Sequence, residues 1–360
     1  MIQFLKGLLS RARGRHPLEL LKFLEIELLG RHASTRCFHH PSHALIELTT
    51  RCNLRCRWCN QNDPQWQKAW GHQDMPFEVF EKIVSQLRGS RVLLLYNIGE
   101  PLLYKRIFDA VRLARRYIPE VRMTSNGLLL TPEIARNLQA AGLTRLNVSI
   151  DSPRPEEMAE IRGADLEKIA ANLREFGEAC SIPVEIWTVI SQGNIESLRE
   201  LPRWASRFPA VKSLYFQLQK GPVESVESGF RPIEDEGQFR DFQAGIATEC
   251  ERYGLRSNIL SLPFYPPGFH QRQAEGICKA PFIQLMAIDV RGEMAPCCTY
   301  GAHAIGSVAD RGFAAVWNGP EMRAWRRDML EQRYCAYCSE WCGYRQNDAR
   351  PPFPIRIRAE

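Results

Sequence analysis

Short apolar segments alternate with amphipathic stretches through the first two thirds of the chain. The apolar segments have the length of strands and lie at 44–49, 91–98, 121–125, 145–150, 184–190 and 212–219. Stretches with helical periodicity lie at 77–88, 105–118, 132–141, 165–179, 196–207 and 235–253. Strands that are apolar on both faces belong to a parallel sheet covered by helices. The pattern therefore predicts an α/β fold of parallel strands, either an open sheet or a partial barrel.

The pattern changes after these helices. Proline and glycine are frequent in 262–276, which predicts a linker. The apolar segment 282–298 contains Arg291-Gly292 and predicts a hairpin. A helix is predicted around 314–331 and leads into the last group of cysteines. The chain thus has a C-terminal α+β extension beyond its α/β core.

Composition and charge exclude several classes of protein. Hydrophobic residues make up 44% and charged residues 24%, as in soluble globular proteins. No apolar run approaches the about 18 residues that span a bilayer, and the first residues lack the features of a secretory signal. The net charge of +6 does not by itself predict nucleic-acid binding. We expect a cytoplasmic protein.

The leading segment is basic. Residues 1–36 carry seven Lys or Arg and three Glu, and their apolar positions predict one short amphipathic helix. Packing on the body of the protein is favoured for this helix, with a weak contact to a membrane surface as the alternative.

Cysteine placement indicates metal binding. The chain has 12 cysteines, and without an export signal its thiols are expected to be reduced. Cys52, Cys56 and Cys59 follow the first predicted strand, at the sheet edge where functional loops lie. Three thiolates can hold a [4Fe–4S] cluster with one iron open to a small molecule. A structural zinc normally requires four ligands, and the nearby sequence offers no clear fourth.

The segment ELTTRCNLRCRWCNQ, at 47–61, resembles the signature of the radical S-adenosylmethionine (radical SAM) enzymes. The resemblance implies a partial (β/α)6 barrel, in agreement with the six strand–helix units. It also implies that the open iron binds the amino and carboxylate groups of S-adenosylmethionine. Reduction then yields a 5′-deoxyadenosyl radical that removes a hydrogen atom from the substrate.

Further matches follow successive strands. Asn97-Ile98-Gly99-Glu100-Pro101 resembles the family's Gly-Gly-Glu-Pro turn, with Ile98 at the first glycine position, and implies that Glu100 accepts a hydrogen bond from the methionine ammonium. The residues implied in cofactor binding are Trp58, Gly99, Glu100, Ser125, Asn126, Ser149, Asp151 and Arg162. Each alone also fits a turn or a helix cap. Their order on consecutive strands favours the cofactor interpretation, and for Asp151 and Arg162 both interpretations stay open.

A second group of cysteines lies in the C-terminal part of the chain. Thirteen residues separate Cys278 from Gly292, four more precede Cys297, and Cys335-x-x-Cys338 follows. This spacing resembles the auxiliary-cluster extension called SPASM, or its shorter form called twitch. The resemblance implies one auxiliary [4Fe–4S] cluster bound by these four cysteines, with Cys342 as an alternative ligand. A four-cysteine zinc site fits the same spacing. Cys298 is the candidate hydrogen donor for an epimerisation, although a buried apolar role is favoured for it.

These observations predict four segments. They are an N-terminal basic helical segment at 1–43, a radical SAM core at 44–255, a SPASM/twitch domain at 256–345 and a basic tail at 346–360. An auxiliary cluster suits electron transfer, so we expect an oxidoreductase that dehydrogenates a sugar-like or other small polar metabolite. The strand residues that could line its substrate cavity are Tyr96, Trp187, Tyr215, Phe216, Gln217 and Gln219.

Other functions remain as alternatives. They are a radical SAM epimerase, a peptide-modifying maturase, a zinc-binding interaction protein and an RNA-binding module. Maturases of the family often add a leader-binding domain, which is larger than the leading 43 residues could form. We expect a small-molecule substrate ahead of a peptide, a flavodoxin- or ferredoxin-like reductant and no nucleic acid. Neither non-enzyme alternative accounts for polar turns at the ends of successive strands.

Overall fold

The computed structural model describes residues 17–57, 59–62, 67–68, 70–218, 233–262, 264, 277–296 and 304–333. Ten strands within these ranges form one sheet, in the order β10-β9-β8-β1-β2-β3-β4-β5-β6-β7. The strands are β1 His43–Ile46, β2 Val92–Leu95, β3 Glu120–Ser125, β4 Arg145–Ser149, β5 Val184–Ile190, β6 Val211–Leu218, β7 Arg256–Ser257, β8 Leu285–Ile288, β9 Glu293–Ala295 and β10 Gly306–Ser307. All pairs from β8 to β7 are parallel, which confirms the predicted α/β fold.

Helices alternate with the strands of the core. They are α1 Pro17–Leu29, α2 Phe77–Val84, α3 Ile107–Ala114, α4 Pro132–Ala141, α5 Pro155–Arg162, α6 Leu166–Ala179, α7 Leu201–Ala205, α8 Glu236–Arg252, α9 Val308–Arg311, α10 Phe313–Trp317 and α11 Pro320–Leu330. The α4 boundaries follow from local chemistry. The Thr131 hydroxyl accepts the Ile134 N–H, and Gly142, at φ 93°, ends the helix in the left-handed region.

The sheet curves into a partial barrel. Tyr96 directly follows β2 and Trp187 lies on β5, three strands away in the sheet order, yet their ring centroids are only 5.4 Å apart. The two rings therefore meet across the interior, as the resemblance predicts. One face of the strands packs with the helices in the main core. A separate small cluster around Leu45, Leu94 and Ala287 lies on the other face.

The predicted hairpin forms, and it belongs to the same sheet. β8 pairs parallel to β1, and β9 turns back on β8 through Asp289–Gly292. The Gly292 N–H donates to the Asp289 carbonyl at 2.9 Å, and its φ of 81° suits glycine. The sheet is thus continuous across the boundary between core and extension, and the division into four segments stays a prediction.

The leading segment packs against the C-terminal helices. The Trp317 indole donates to the His39 carbonyl at 2.9 Å. The Asn318 side chain accepts the Cys37 N–H at 2.9 Å and donates to the Cys37 carbonyl at 2.8 Å. Residues far apart in the chain thus form one unit where the parallel strands begin. No helix in the described ranges has both the length and the apolar character needed to cross a bilayer.

Candidate functional site

Three of the predicted ligand thiols lie on one loop at the carboxyl end of β1. Cys52, Cys56 and Cys59 are half-buried free thiols. The loop is fastened at its start by Thr50, whose N–H donates to the Gln73 carbonyl at 2.9 Å. In its second half, the Cys59 N–H donates to the Cys56 carbonyl at 2.9 Å. Local backbone bonds therefore bring the three thiols to the sheet edge that the sequence predicts.

Burial and a neighbouring cation act in opposite directions on these thiols. Burial raises the pKa of all three, that of Cys59 to about 11. The Arg162 guanidinium, with Nη1 4.0 Å from the Cys56 Sγ, counteracts this rise. The thiols thus carry protons at neutral pH, and metal binding must release those protons.

Arg162 and Asp151 form an ion pair beside this loop. The Arg162 Nε donates to the Asp151 Oδ2 at 2.5 Å, and the Val189 N–H donates to the other carboxylate oxygen at 2.8 Å. Burial opposes the guanidinium charge, yet the charges of Asp151 and Cys56 together raise the pKa of Arg162. Asp151 is fully buried. The pair therefore joins the end of β4 to the end of α5 and to the thiol loop.

Glu100 links the loops that follow β2 and β3. Its carboxylate is buried and accepts the Leu102 N–H at 3.1 Å and the Asn126 N–H at 2.7 Å. The Ser125 hydroxyl also donates to it. Burial raises the pKa of Glu100 to about 7, against these hydrogen bonds.

A side-chain bond carries this link to the thiol loop. The Asn126 Nδ2 donates to the Oδ1 of Asn53, the residue after Cys52, at 2.7 Å. Ser149 is half-buried at the end of β4, opposite Trp187 in the strand register. Its hydroxyl makes no hydrogen bond within the described part of the chain, so it can accept a new partner.

Gly99 allows the turn after β2 to approach the thiol loop closely. A Cβ at this position would lie 1.9 Å from the Thr49 carbonyl oxygen, so only glycine fits without a shift of backbone. The next residue, Glu100, donates its N–H to the Arg51 carbonyl at 2.7 Å. The family's glycine at this position thus has a steric reason here.

Glu47 is a site residue that sequence reasoning missed. It is buried just after β1, and its Oε1 accepts the Ile98 N–H at 3.0 Å. The Asn97 side chain and the Gly99 N–H also donate to it. Burial raises its pKa to about 7, with a further rise from the Asp289 carboxylate. The sequence feature that could have identified Glu47 is a single acidic residue at the end of an apolar strand.

Of the remaining predicted site residues, the structure describes only Cys278. Trp58, Cys297, Cys298, Cys335, Cys338 and Cys342 lie outside the described residues. Cys278 is half-buried, seven positions before β8, and the segment that contains it leads into the amino end of that strand. It lies apart from the thiol loop, which leaves the carboxyl end of β1.

Among the described residues, no group of three or more His, Cys, Asp or Glu side chains is arranged to hold one metal ion. A cubic cluster places different demands on its ligands. Each of its thiolates binds a different iron, so the sulfurs lie farther apart than the ligands of a single ion. Three half-buried thiols with a guanidinium beside them fit the donor set of such a cluster.

Polar side chains line the barrel interior on β4, β5 and β6. The Glu185 carboxylate accepts hydrogen bonds from the Ser213 hydroxyl at 2.7 Å, Arg145 at 3.2 Å and the Trp187 indole at 2.7 Å. The Trp187 ring also packs on Tyr215, with centroids 4.9 Å apart. This interior therefore combines aromatic faces with a fixed charged network.

Two family models match the chain. Residues 46–205 match the model described as the radical SAM superfamily. Residues 278–342 match SPASM, described as an iron–sulfur cluster-binding domain.

Two relatives illustrate the range of the similarity. A GTP 3',8-cyclase of Peptoclostridium acidaminophilum is 35% identical over 152 residues, which are 41% of this chain and 46% of that protein. The match thus spans less than half the length of that relative. A tungsten-containing aldehyde ferredoxin oxidoreductase cofactor-modifying protein of Pyrococcus furiosus is 24% identical over 322 residues, 82% of this chain and 85% of that one.

Solved structures share the fold. SuiB of Streptococcus suis, bound to S-adenosylmethionine, has a TM-score of 0.65 at 15% identity and covers 96% of this chain and 86% of its own. The protein anSMEcpe with bound AdoMet has a TM-score of 0.59 at 16% identity, over 83% of this chain and 88% of its own.

A partial parallel barrel with clustered thiols at the carboxyl edge of its strands defines a class of iron–sulfur enzymes. Within this class, the chain carries a radical SAM domain over residues 46–205 and a SPASM domain over residues 278–342. Its cofactors are a [4Fe–4S] cluster with S-adenosylmethionine, and an auxiliary iron–sulfur cluster. The zinc-binding interaction protein and the RNA-binding module are left without support.

Proposed function

We propose that this radical SAM enzyme removes a hydrogen atom from a sugar-like or other small polar metabolite and oxidises it. The observation that carries the proposal is the lining of the barrel interior. Tyr96, Trp187 and Tyr215 present half-exposed aromatic rings, and Glu185 is held beside them by three hydrogen bonds. Aromatic faces can pack on the C–H faces of a sugar, while fixed polar groups orient its hydroxyls.

The same proposal assigns the cofactor residues. Cys52, Cys56 and Cys59 hold the cluster, and the Arg162 guanidinium balances part of the thiolate charge. When bound, the cluster and S-adenosylmethionine supply the 5′-deoxyadenosyl radical that removes a substrate hydrogen. Asp151 fixes the position of Arg162 through the contact at 2.5 Å. The remaining residues proposed to contact S-adenosylmethionine are Trp58, Gly99, Glu100, Ser125, Asn126 and Ser149.

Net oxidation is favoured by the SPASM domain. We assign the auxiliary cluster to Cys278, Cys297, Cys335 and Cys338, with Cys342 as the alternative ligand. An auxiliary cluster supplies an electron acceptor within the same chain. A flavodoxin- or ferredoxin-like protein is the expected reductant. Epimerisation would instead require a hydrogen donor, for which Cys298 is the candidate.

The names of the relatives support small polar substrates. The cyclases act on GTP by their names, and GTP contains a ribose. One observation favours a peptide as a second candidate substrate. SuiB has been solved with its precursor peptide SuiA, at a TM-score of 0.63 over 92% of this chain and 76% of its own.

Isotope transfer from a labelled extract tests the proposal. The reduced holoenzyme is incubated with S-adenosylmethionine and a deuterated cell extract, separated into small-molecule and peptide fractions. We expect deuterium in 5′-deoxyadenosine from the small-molecule fraction, together with a sugar-like product that has lost two hydrogen atoms. Transfer from the peptide fraction alone would replace the proposal with peptide modification.

A substitution in the barrel interior tests whether the lining residues bind the substrate. Trp187→Phe keeps a ring but removes the indole N–H that donates to Glu185 at 2.7 Å. We expect a raised KM for the substrate, with unchanged cleavage of S-adenosylmethionine in its absence. Trp204→Phe is the matched control, because that ring packs on Phe208 after α7. Equal KM values for the wild type and both variants would contradict a role of Trp187 in substrate binding.

A further inference from the structure

The first helix exposes leucines and buries charged residues. On α1, Glu19 and Lys22 are 2% and 5% exposed. Leu21, Leu28 and Leu29 are 60%, 72% and 51% exposed. Residues 21, 28 and 29 share one side of a helix with 3.6 residues per turn, and we call them the leucine face. The other side of α1 packs on the core through Phe23 and Ile26, so packing accounts for that side of the helix and not for the leucine face.

The acids near this face are neutralised. Glu25 lies within the same stripe and pairs with the Lys22 Nζ at 3.0 Å, and its other oxygen accepts the Ser34 N–H at 2.5 Å. Glu27 forms an ion pair with Lys279 on a neighbouring segment. No unpaired carboxylate of α1 therefore borders the leucine face within the described residues.

Basic residues precede and follow α1 along the chain. Arg31 and Arg36 are exposed just after α1. The preceding residues 1–16 contain four Lys or Arg and no Asp or Glu. Exposed apolar side chains flanked by basic residues match the chemistry of an anionic lipid surface.

We propose that the leucine face docks on an anionic membrane surface. A second copy of the chain fits less well, because a two-fold contact would bring two positively charged flanks together. The location of α1 also suits a membrane contact. It packs on the turn at Ala280–Gln284, which leads into the amino end of β8, whereas the thiol loop leaves the carboxyl end of β1. Docking would leave the thiol loop away from the lipid. The inference does not depend on the proposed substrate.

Vesicle sedimentation tests the proposal on the full-length holoenzyme. Vesicles contain either phosphatidylcholine alone or phosphatidylcholine with phosphatidylglycerol. We expect the wild type to bind the anionic vesicles and to dissociate as salt is raised, because each nearby basic residue strengthens binding about fivefold at low salt.

The triple variant L21S/L28S/L29S should weaken this binding about tenfold or more. Leu260→Ser is the matched control and should bind like the wild type, because Leu260 is 71% exposed on a different element. Thermal unfolding of the triple variant should match the wild type, since its changed side chains already face solvent.

Several results would overturn the proposal. One is the absence of binding by the wild type, and another is equal binding by the triple variant. A change from dimer to monomer in the variant would identify the face as a contact between copies. A large drop in its melting temperature would indicate that the chain itself covers the face. Capture of a flavodoxin by this face, without vesicle binding, would assign it to a protein partner.

Discussion

At the scale of single residues, Glu47 holds the turn that follows β2. Its buried carboxylate accepts the Ile98 N–H at 3.0 Å, and burial raises its pKa from 4.5 to about 7. An acid whose pKa is raised in the folded state binds more protons there than in the unfolded chain. Its contribution to stability is therefore complete below about pH 4.5 and is lost as the pH rises through about 7.

Glu47→Gln should reduce this pH dependence. The amide cannot ionise, and its oxygen can still accept the Ile98 N–H. Between about pH 4.5 and about pH 7, the wild type should lose up to about 1.4 kcal/mol more per pH unit than the variant. Urea unfolding of the metal-free protein at several pH values measures the difference. Identical slopes would contradict the assignment, and Glu133→Gln on the surface of α4 serves as the control.

Arg162 and Asp151 offer a second test at this scale. Arg162→Met leaves the buried Asp151 carboxylate unpaired and should lower the free energy of unfolding by about 3–5 kcal/mol. The double variant with Asp151→Asn should recover most of that stability but should not restore cleavage of S-adenosylmethionine. Urea unfolding and 5′-deoxyadenosine formation measure the two effects. Full activity of the double variant would reduce the pair to a structural role.

Sequence alone located the three cysteines, Asp151 and Arg162, but it could not predict which of them make contact, and it missed Glu47. The three cysteines lie within eight positions, so their spacing is visible in the chain. Arg162 approaches Cys56 across 106 positions, and only the fold creates that contact. Glu47 escaped notice because its partners are mainly backbone N–H groups, which no side-chain pattern reveals. Local motifs therefore predict ligands better than they predict the residues that position them.

At the scale of elements, the site depends on how closely loops meet. Gly99→Ala would place a Cβ 1.9 Å from the Thr49 carbonyl oxygen, and the turn must move away. We expect about a tenfold or greater loss of affinity for S-adenosylmethionine, with unchanged iron content. Equilibrium dialysis measures the affinity. Gly245→Ala, inside α8, is the control, and equal affinity of Gly99→Ala and wild type would contradict the steric argument.

Periodicity predicted the elements of the core because each strand and helix carries its own apolar pattern. It missed α5, whose buried apolar residues are only Met158 and Ile161. The helix predicted around 314–331 is interrupted at 318–319, before Pro320 begins α11. The hairpin was predicted correctly, but the sequence did not predict that it pairs with β1. Ala44 pairs with Met286, and a contact between segments so distant in the chain leaves no local signal.

At the scale of the whole molecule, the two cysteine groups belong to different parts of the chain. The thiol loop leaves the carboxyl end of β1, whereas the segment that contains Cys278 leads into the amino end of β8. The described part of the SPASM region contacts the core where β8 pairs with β1, and its helices contact the leading segment where Asn318 binds Cys37. Because the two cysteine groups lie apart, we expect a substitution in one group to abolish the function of that group and to leave the function of the other intact.

Cys338→Ala should uncouple the cleavage of S-adenosylmethionine from product formation. Iron content should fall from about eight to about four atoms per chain. The variant should still form some 5′-deoxyadenosine but no oxidised product. Cys180→Ala, at the end of α6, should keep both functions. Undiminished product from Cys338→Ala would remove the auxiliary cluster from the reaction.

Formation of 5′-deoxyadenosine tests the central claim most directly. The wild type and Cys56→Ala are reconstituted without oxygen, reduced with dithionite and given S-adenosylmethionine. Chromatography should detect 5′-deoxyadenosine with the wild type and none with Cys56→Ala. A reconstituted, reduced wild type that forms none, or a Cys56→Ala variant that forms as much, would contradict the account.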